Sequence, residues 1–84
     1  MTYRILLDEK ADKFLQKLQQ TDQQKIRNKL RDLAHSPQLG KPLVGRLSGL
    51  WSLRTGDYRA IYQIRNNELL IFVLQIGHRK NIYS

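Results

Sequence analysis

Apolar side chains recur along this chain with two different periods, and the change of period marks out the elements. Residues 2–7 (TYRILL) form a short apolar-rich run that predicts a first strand. Asp8 stands where it can cap the helix that follows. Ala11, Phe14, Leu15 and Leu18 then lie at i, i+3, i+4 and i+7, one apolar stripe with Lys10, Lys13 and Lys17 off it. Thr21 and Gln24 have capping-box spacing for a second helix, whose buried stripe is Ile26, Leu30 and Leu33, flanked by Lys25, Arg27, Lys29 and Arg31. These flanking charges read as a solvated face. The very short connection between the two patterns predicts an antiparallel helical hairpin.

Ser36-Pro37 stops the second helix, and Gly40, Pro42 and Gly45 keep residues 37–48 irregular. From residue 47 to 64 the period is two, around a Gly56-Asp57 turn. A two-residue turn there pairs Thr55 with Tyr58, Arg54 with Arg59, Leu53 with Ala60, Ser52 with Ile61 and Trp51 with Tyr62. Trp51, Leu53, Ala60 and Tyr62 then share the face that suits packing on a helix, and Ser52, Arg54, Arg59 and Ile61 share the other. Two arginines directly opposite repel, which implies an anion shared between Arg54 and Arg59; a turn one residue longer would instead separate them. Asn66-Asn67 predicts a second tight turn, residues 68–76 the most apolar and hence central strand, and Gly77 the end of that pattern. The string is strand, helix, helix, strand, strand, strand, with no internal repeat. It predicts a single α+β domain over residues 1–84, two layers with a helical hairpin on one face of an antiparallel sheet and the arginines on the other, open face.

Charge changes the picture next. Fifteen Lys and Arg against seven Asp and Glu leave +8 on 84 residues. From Gly40 onward Lys41, Arg46, Arg54, Arg59, Arg65, Arg79 and Lys80 face only Asp57 and Glu68. The arginines among them carry the planar fork that suits phosphate. This predicts a nucleic-acid-binding surface rather than a membrane-binding one, because no helix pairs a basic face with exposed aromatics. Arg46 could reach a phosphate from its loop, and Lys80 from the polar end that follows Gly77. A domain this small buries only about 60–65% of its extended surface, so a cofactor-sized cavity is not expected. There is no cysteine, hence no disulfide framework and no thiolate metal site, and no apolar run long enough to span a membrane. A soluble, cytoplasmic protein without metal or small-molecule cofactor is the expectation.

Gly56-Asp57-Tyr58-Arg59 with Tyr62, and Gly77-His78-Arg79 followed by Tyr83, on this order of elements, resemble the RelE/ParE toxin superfamily of toxin-antitoxin modules, on the RelE side. The resemblance covers essentially the whole chain. It implies an endoribonuclease that cuts mRNA in the ribosomal A site without metal, by attack of the ribose 2′-OH on the adjacent phosphate, and that is held inactive by a cognate antitoxin. It implies Arg59, Arg79 and Tyr83 as site residues. Two basic residues that many RelE members carry on the second strand fall at Leu50 and Ser52 here, so the usual proton-handling lysines are missing.

The chemistry of such a cleavage needs a base, an acid for the leaving 5′ oxygen and positive charge around the phosphorane-like transition state. Arg59 and Arg79 can supply the charge, Tyr83 can stack on or hydrogen-bond the nucleotide, and Arg54, Arg46, Lys80 and Ser52 complete an RNA-binding surface. With Leu50 and Ser52 unable to take a proton, that task falls to His78, to Tyr83 or to ribosomal RNA. Tyr83 could instead be a C-terminal aromatic that covers the open sheet face. Two other functions fit the same fold: a ParE-like inhibitor of DNA gyrase, and a non-catalytic nucleic-acid-binding domain.

Overall fold

Strand β1 (Arg4–Leu7) enters the computed structural model, which describes residues 2–82, at the edge of a five-stranded sheet. Helix α1 (Glu9–Lys17) follows, its first turn capped by the Asp8 carboxylate, which accepts from the Lys10 N–H at 3.2 Å. Helix α2 (Gln20–His35) begins two residues earlier than the capping-box spacing implies: Gln19 is the N-cap and makes no side-chain cap bond, so Thr21 lies inside the first turn. Gln23 closes the helix connection instead, its amide donating to the Leu18 and Gln16 carbonyls at 2.9 and 3.2 Å. Those are carbonyls at the end of α1 that the helix cannot itself satisfy.

The segment expected to be irregular holds two short 3₁₀ turns and a two-residue strand, β2 (Lys41–Pro42). Strands β3 (Trp51–Thr55), β4 (Tyr58–Arg65) and β5 (Leu70–His78) form the meander. The hairpin register is the two-residue one, with Arg54 opposite Arg59 and Trp51 opposite Tyr62. Gly56 takes a φ of +62°, the left-handed region that glycine enters without a Cβ clash. The second turn is longer than the Asn66-Asn67 pair: a 3₁₀ turn over Asn66–Glu68 closes at Leu69, which itself has φ +49°.

The strand order is β1-β5-β4-β3-β2. The α+β class and the helical hairpin stand as expected, but the sheet is mixed, because β1 runs parallel to β5 and two helices supply the crossover that parallel pairing requires. Helices α1 and α2 cover one face. Ala11, Leu15, Ile26, Leu30 and Leu33 from the helices meet Leu53, Ala60, Tyr62, Ile71, Val73 and Ile76 from the sheet in one core. Trp51 stacks on Tyr62 at its margin, centroids 6.2 Å apart.

The opposite face is less open than its pattern suggests. Ser52 and Ile61 are buried there, and beyond β5 the chain turns back so that Ile82, 3% exposed, packs over Gly77. The Asn81 and Ile82 N–H groups donate to the His78 carbonyl and hold that turn. β5 also continues through Gly77, so that residue does not break the strand.

Candidate functional site

The outer edge of β3 is where the sheet loses its last strand. β2 pairs only Lys41 with Ser52 and Pro42 with Trp51, so among the described residues β3 has no outer strand neighbour from Leu53 onward. Gly40 marks the point at which the chain leaves the sheet. A Cβ on Gly40 would fall 2.4 Å from the Ser52 carbonyl oxygen and 2.7 Å from the Tyr62 hydroxyl, so only glycine lets the backbone approach this closely. Tyr62, fully buried, fastens the segment, its hydroxyl donating to the Pro37 carbonyl at 2.8 Å and accepting from the Gly40 N–H at 3.1 Å. Burial pushes the Tyr62 phenol above its ordinary value, an effect the Gly40 hydrogen bond partly offsets.

This arrangement leaves a cleft of about 290 Å³ lined by Lys29, Leu39, Gly40, Lys41, Ser52, Leu53, Arg54 and Arg59. Four of these are cations, and among the described residues no Asp or Glu lines the cleft. Arg59 donates from an Nη to Ser52 Oγ at 3.2 Å, which aligns the guanidinium along the face, and Arg54 is exposed beside it. A serine hydroxyl here orients an arginine where a lysine would have repelled it. A wider groove of about 570 Å³ lies by Tyr3, Pro37, Trp51, Ile64 and Asn66, but its described lining holds no charged side chain, so the smaller cleft is the one equipped for an anion.

The remaining site residues sort by position. Arg79 sits at the hairpin end of the sheet, its N–H donating to the Asp57 carbonyl at 2.9 Å, so it shares that end with Arg59 two residues further along β4. Strand alternation puts His78 on the helix face, opposite Tyr58, with the two rings 6.0 Å apart, whereas Arg59 faces the other way opposite Gly77. Because β5 continues through Gly77, His78 stays on the face opposite Arg59. Tyr58 in turn packs edge-on against Phe14 and donates to Asp22 at 3.1 Å; burial first, then that hydrogen bond and the Asp22 and Asp57 charges, raises its phenol. The Lys80 N–H donates to His78 Nδ1 at 3.4 Å, and the Lys80 side chain is exposed. Arg46 is exposed in a 3₁₀ turn and does not line the cleft. Tyr83 lies outside the described residues. Among those residues no group of three or more His, Asp or Glu is placed to hold a metal ion, and no helix is long and apolar enough to cross a membrane.

Lys29 and Lys41 line the cleft without having been singled out as site residues: Lys29 read as part of a solvated helix face, and Lys41 only as one member of the basic excess beyond Gly40. Lys29 had a weak signal, since it follows Ile26 by three positions and so borders the buried stripe of α2. Lys41 had none until β2 paired with β3.

A layered sheet with a helical hairpin and a basic cleft at the meander edge defines a small two-layer α+β protein with a cationic surface cleft. Comparison with known proteins narrows that class. The family model of the ParE toxin of the type II toxin-antitoxin system parDE matches residues 5–83. The chain is 28% identical to the mRNA interferase toxin RelE of Escherichia coli over 88 aligned positions, covering all of this chain and 93% of that one. It is 40% identical to the toxin RelG of Mycobacterium tuberculosis over 53 residues, 62% of this chain and 61% of RelG's length. The toxin-antitoxin complex RelBE2 of Mycobacterium tuberculosis superposes with a TM-score of 0.86 at 30% identity, covering 94% of this chain and the whole of the matched one. The chain belongs to the ParE toxin family, as a RelE-like toxin of a type II toxin-antitoxin module.

Proposed function

We propose that this toxin is a ribosome-dependent endoribonuclease that cleaves mRNA in the A site and so stops translation, without a metal ion. The observation that carries the reading is the opposed pair Arg54 and Arg59 in a cleft whose described lining is basic and free of carboxylates. A relative named mRNA interferase toxin RelE, similar over the full chain, supports it.

In this reading the 2′-OH gives up its proton as its oxygen attacks the adjacent phosphorus, and the P–O5′ bond breaks with the 5′ oxygen taking up a proton from solvent or the ribosome, giving a 2′,3′-cyclic phosphate and a 5′-OH end. Arg59 and Arg79 stabilise the charge that accumulates on the phosphoryl oxygens, and Tyr83 supports the nucleotide. Arg54, Arg46, Lys80 and Ser52 bind or orient the RNA, Ser52 through Arg59. His78 is the imidazole near this end of the sheet, and its place against Tyr58 leaves the 2′-OH proton to be taken by His78 from across the strand end, by Tyr83 or by ribosomal RNA. Poor acid-base equipment on the protein fits an enzyme that works only inside the ribosome.

A cognate antitoxin is the second partner. Solved structures titled as RelE toxins in complex with their antitoxins support it. An acidic amphipathic segment suits a basic rim around apolar ground.

Expression without antitoxin should stop protein synthesis before DNA replication, and purified toxin should cut mRNA in programmed ribosomes while leaving naked RNA nearly intact. Early gyrase-dependent DNA breaks with intact mRNA would instead assign the protein to gyrase inhibition.

A further inference from the structure

The cleft at the β3 edge is built from both layers of the molecule. Arg54, Arg59 and Ser52 reach it from the sheet, Lys41 from the two-residue β2, and Lys29 from α2 on the helix side. Lys29 is only partly exposed, unlike Lys25, Arg27 and Arg31 on the same helix. The long stem of lysine allows this, because it lies along protein while its ammonium stays at the rim. Gly40 keeps Lys41 at the cleft, since its backbone must sit against the Ser52 carbonyl.

We infer that Lys29 and Lys41 form, with Arg54, a seat for a second backbone phosphate of the RNA, next to the phosphate that Arg59 holds. The inference rests on the endoribonuclease reading and extends its substrate path over the β3 edge to α2. Two ammonium groups and the Arg54 guanidinium line one concavity whose described lining holds no carboxylate, so an anion entering it relieves their mutual repulsion. An acidic peptide would need an apolar anchor beside its carboxylates; of the apolar residues lining the cleft, Leu53 is 3% exposed and already belongs to the core, which leaves only Leu39.

The test is binding of an uncleavable single-stranded RNA, carrying 2′-O-methyl groups, across a salt titration. Lys29→Gln plus Lys41→Gln should lower affinity on the order of tenfold at 0.1 M salt and should reduce the slope of log affinity against log salt by between about 0.7 and about 1.4. Lys17→Gln, on the solvated face of α1, should change neither. Lys41→Gln alone, at an exposed position, serves as the check should the double variant unfold, and should give the smaller of the two slope changes. An unaltered slope in both Lys41 variants overturns the inference. So does weakened binding of the co-expressed antitoxin with RNA affinity intact, which would make the cleft a protein seat. Because cleavage is not read in this assay, a wild-type protein that fails to cut ribosomal mRNA yet shows the lysine-dependent slope would remove the nuclease reading and leave the phosphate seat standing.

Discussion

Arg54 and Arg59 face each other directly across the β3–β4 ladder, two like charges at a position where sheets normally place complementary ones. Arg54→Ala should therefore leave the unfolding free energy unchanged or raise it by up to about 1 kcal/mol, while weakening RNA binding. Chemical denaturation paired with an RNA-binding titration checks both signs at once; a loss of stability with unchanged RNA affinity would contradict the site assignment.

Arg59→Ala and Arg79→Ala should each lower the rate of mRNA cleavage on programmed ribosomes by about 10²–10³-fold, the usual loss when one group stabilising a transition-state charge is removed. Both variants should remain folded. Arg59→Ala additionally frees Ser52 Oγ from its guanidinium partner and should show the larger change in melting temperature. Growth assays without antitoxin give the cellular readout, and full toxicity in two folded variants would show that the site lies elsewhere.

The Tyr62 hydroxyl joins Pro37 and Gly40 to the sheet, and its removal leaves a carbonyl and an N–H without that partner. Tyr62→Phe should cost about 1–3 kcal/mol. Gly40→Ala should cost a similar amount, because its Cβ would press on the backbone oxygen of Ser52 and not on a side chain that can move aside. Equilibrium denaturation measures each.

Stability should also fall in alkali, and the sign follows from the Tyr62 phenol. Burial raises its folded value above the ordinary 10.0, so the unfolded chain loses the proton first and the folded state binds more protons above that pH. The contribution is fully present below about pH 10 and declines by up to about 1.4 kcal/mol per pH unit as the pH rises toward the folded value. Denaturation midpoints measured from pH 8 to 11 should bend downward near 10, and the bend should be shallower in Tyr62→Phe.

His78 is tested by single-turnover cleavage on ribosomes across pH. A general base predicts a rate that rises through one ionisation and levels off, with that ionisation absent in His78→Gln. A wild-type rate and profile in His78→Gln would leave the proton to Tyr83 or to ribosomal RNA, consistent with the ring lying against Tyr58 on the helix face.

Alternation along residues 47–64 carried the hairpin, because a period of two and a glycine turn act between near neighbours, while the turn length, and with it the pairing of Arg54 with Arg59, stood open between two and three residues until the structure gave the two-residue register. The helical stripes and the basic excess were equally local. Other features depend on residues far apart in the chain. Nothing near residue 4 indicates that β1 pairs parallel to β5, which requires the helical crossover to be in place. His78 was read as a candidate proton acceptor, and the continuing ladder with β4 puts it on the face opposite Arg59. Lys29 and Lys41 are twelve positions apart on different elements, and each by itself looks like one more solvated cation. They share a cleft only because β2 ends after two residues and Gly40 rests against the Ser52 carbonyl, a contact between segments that no pattern along the chain specifies.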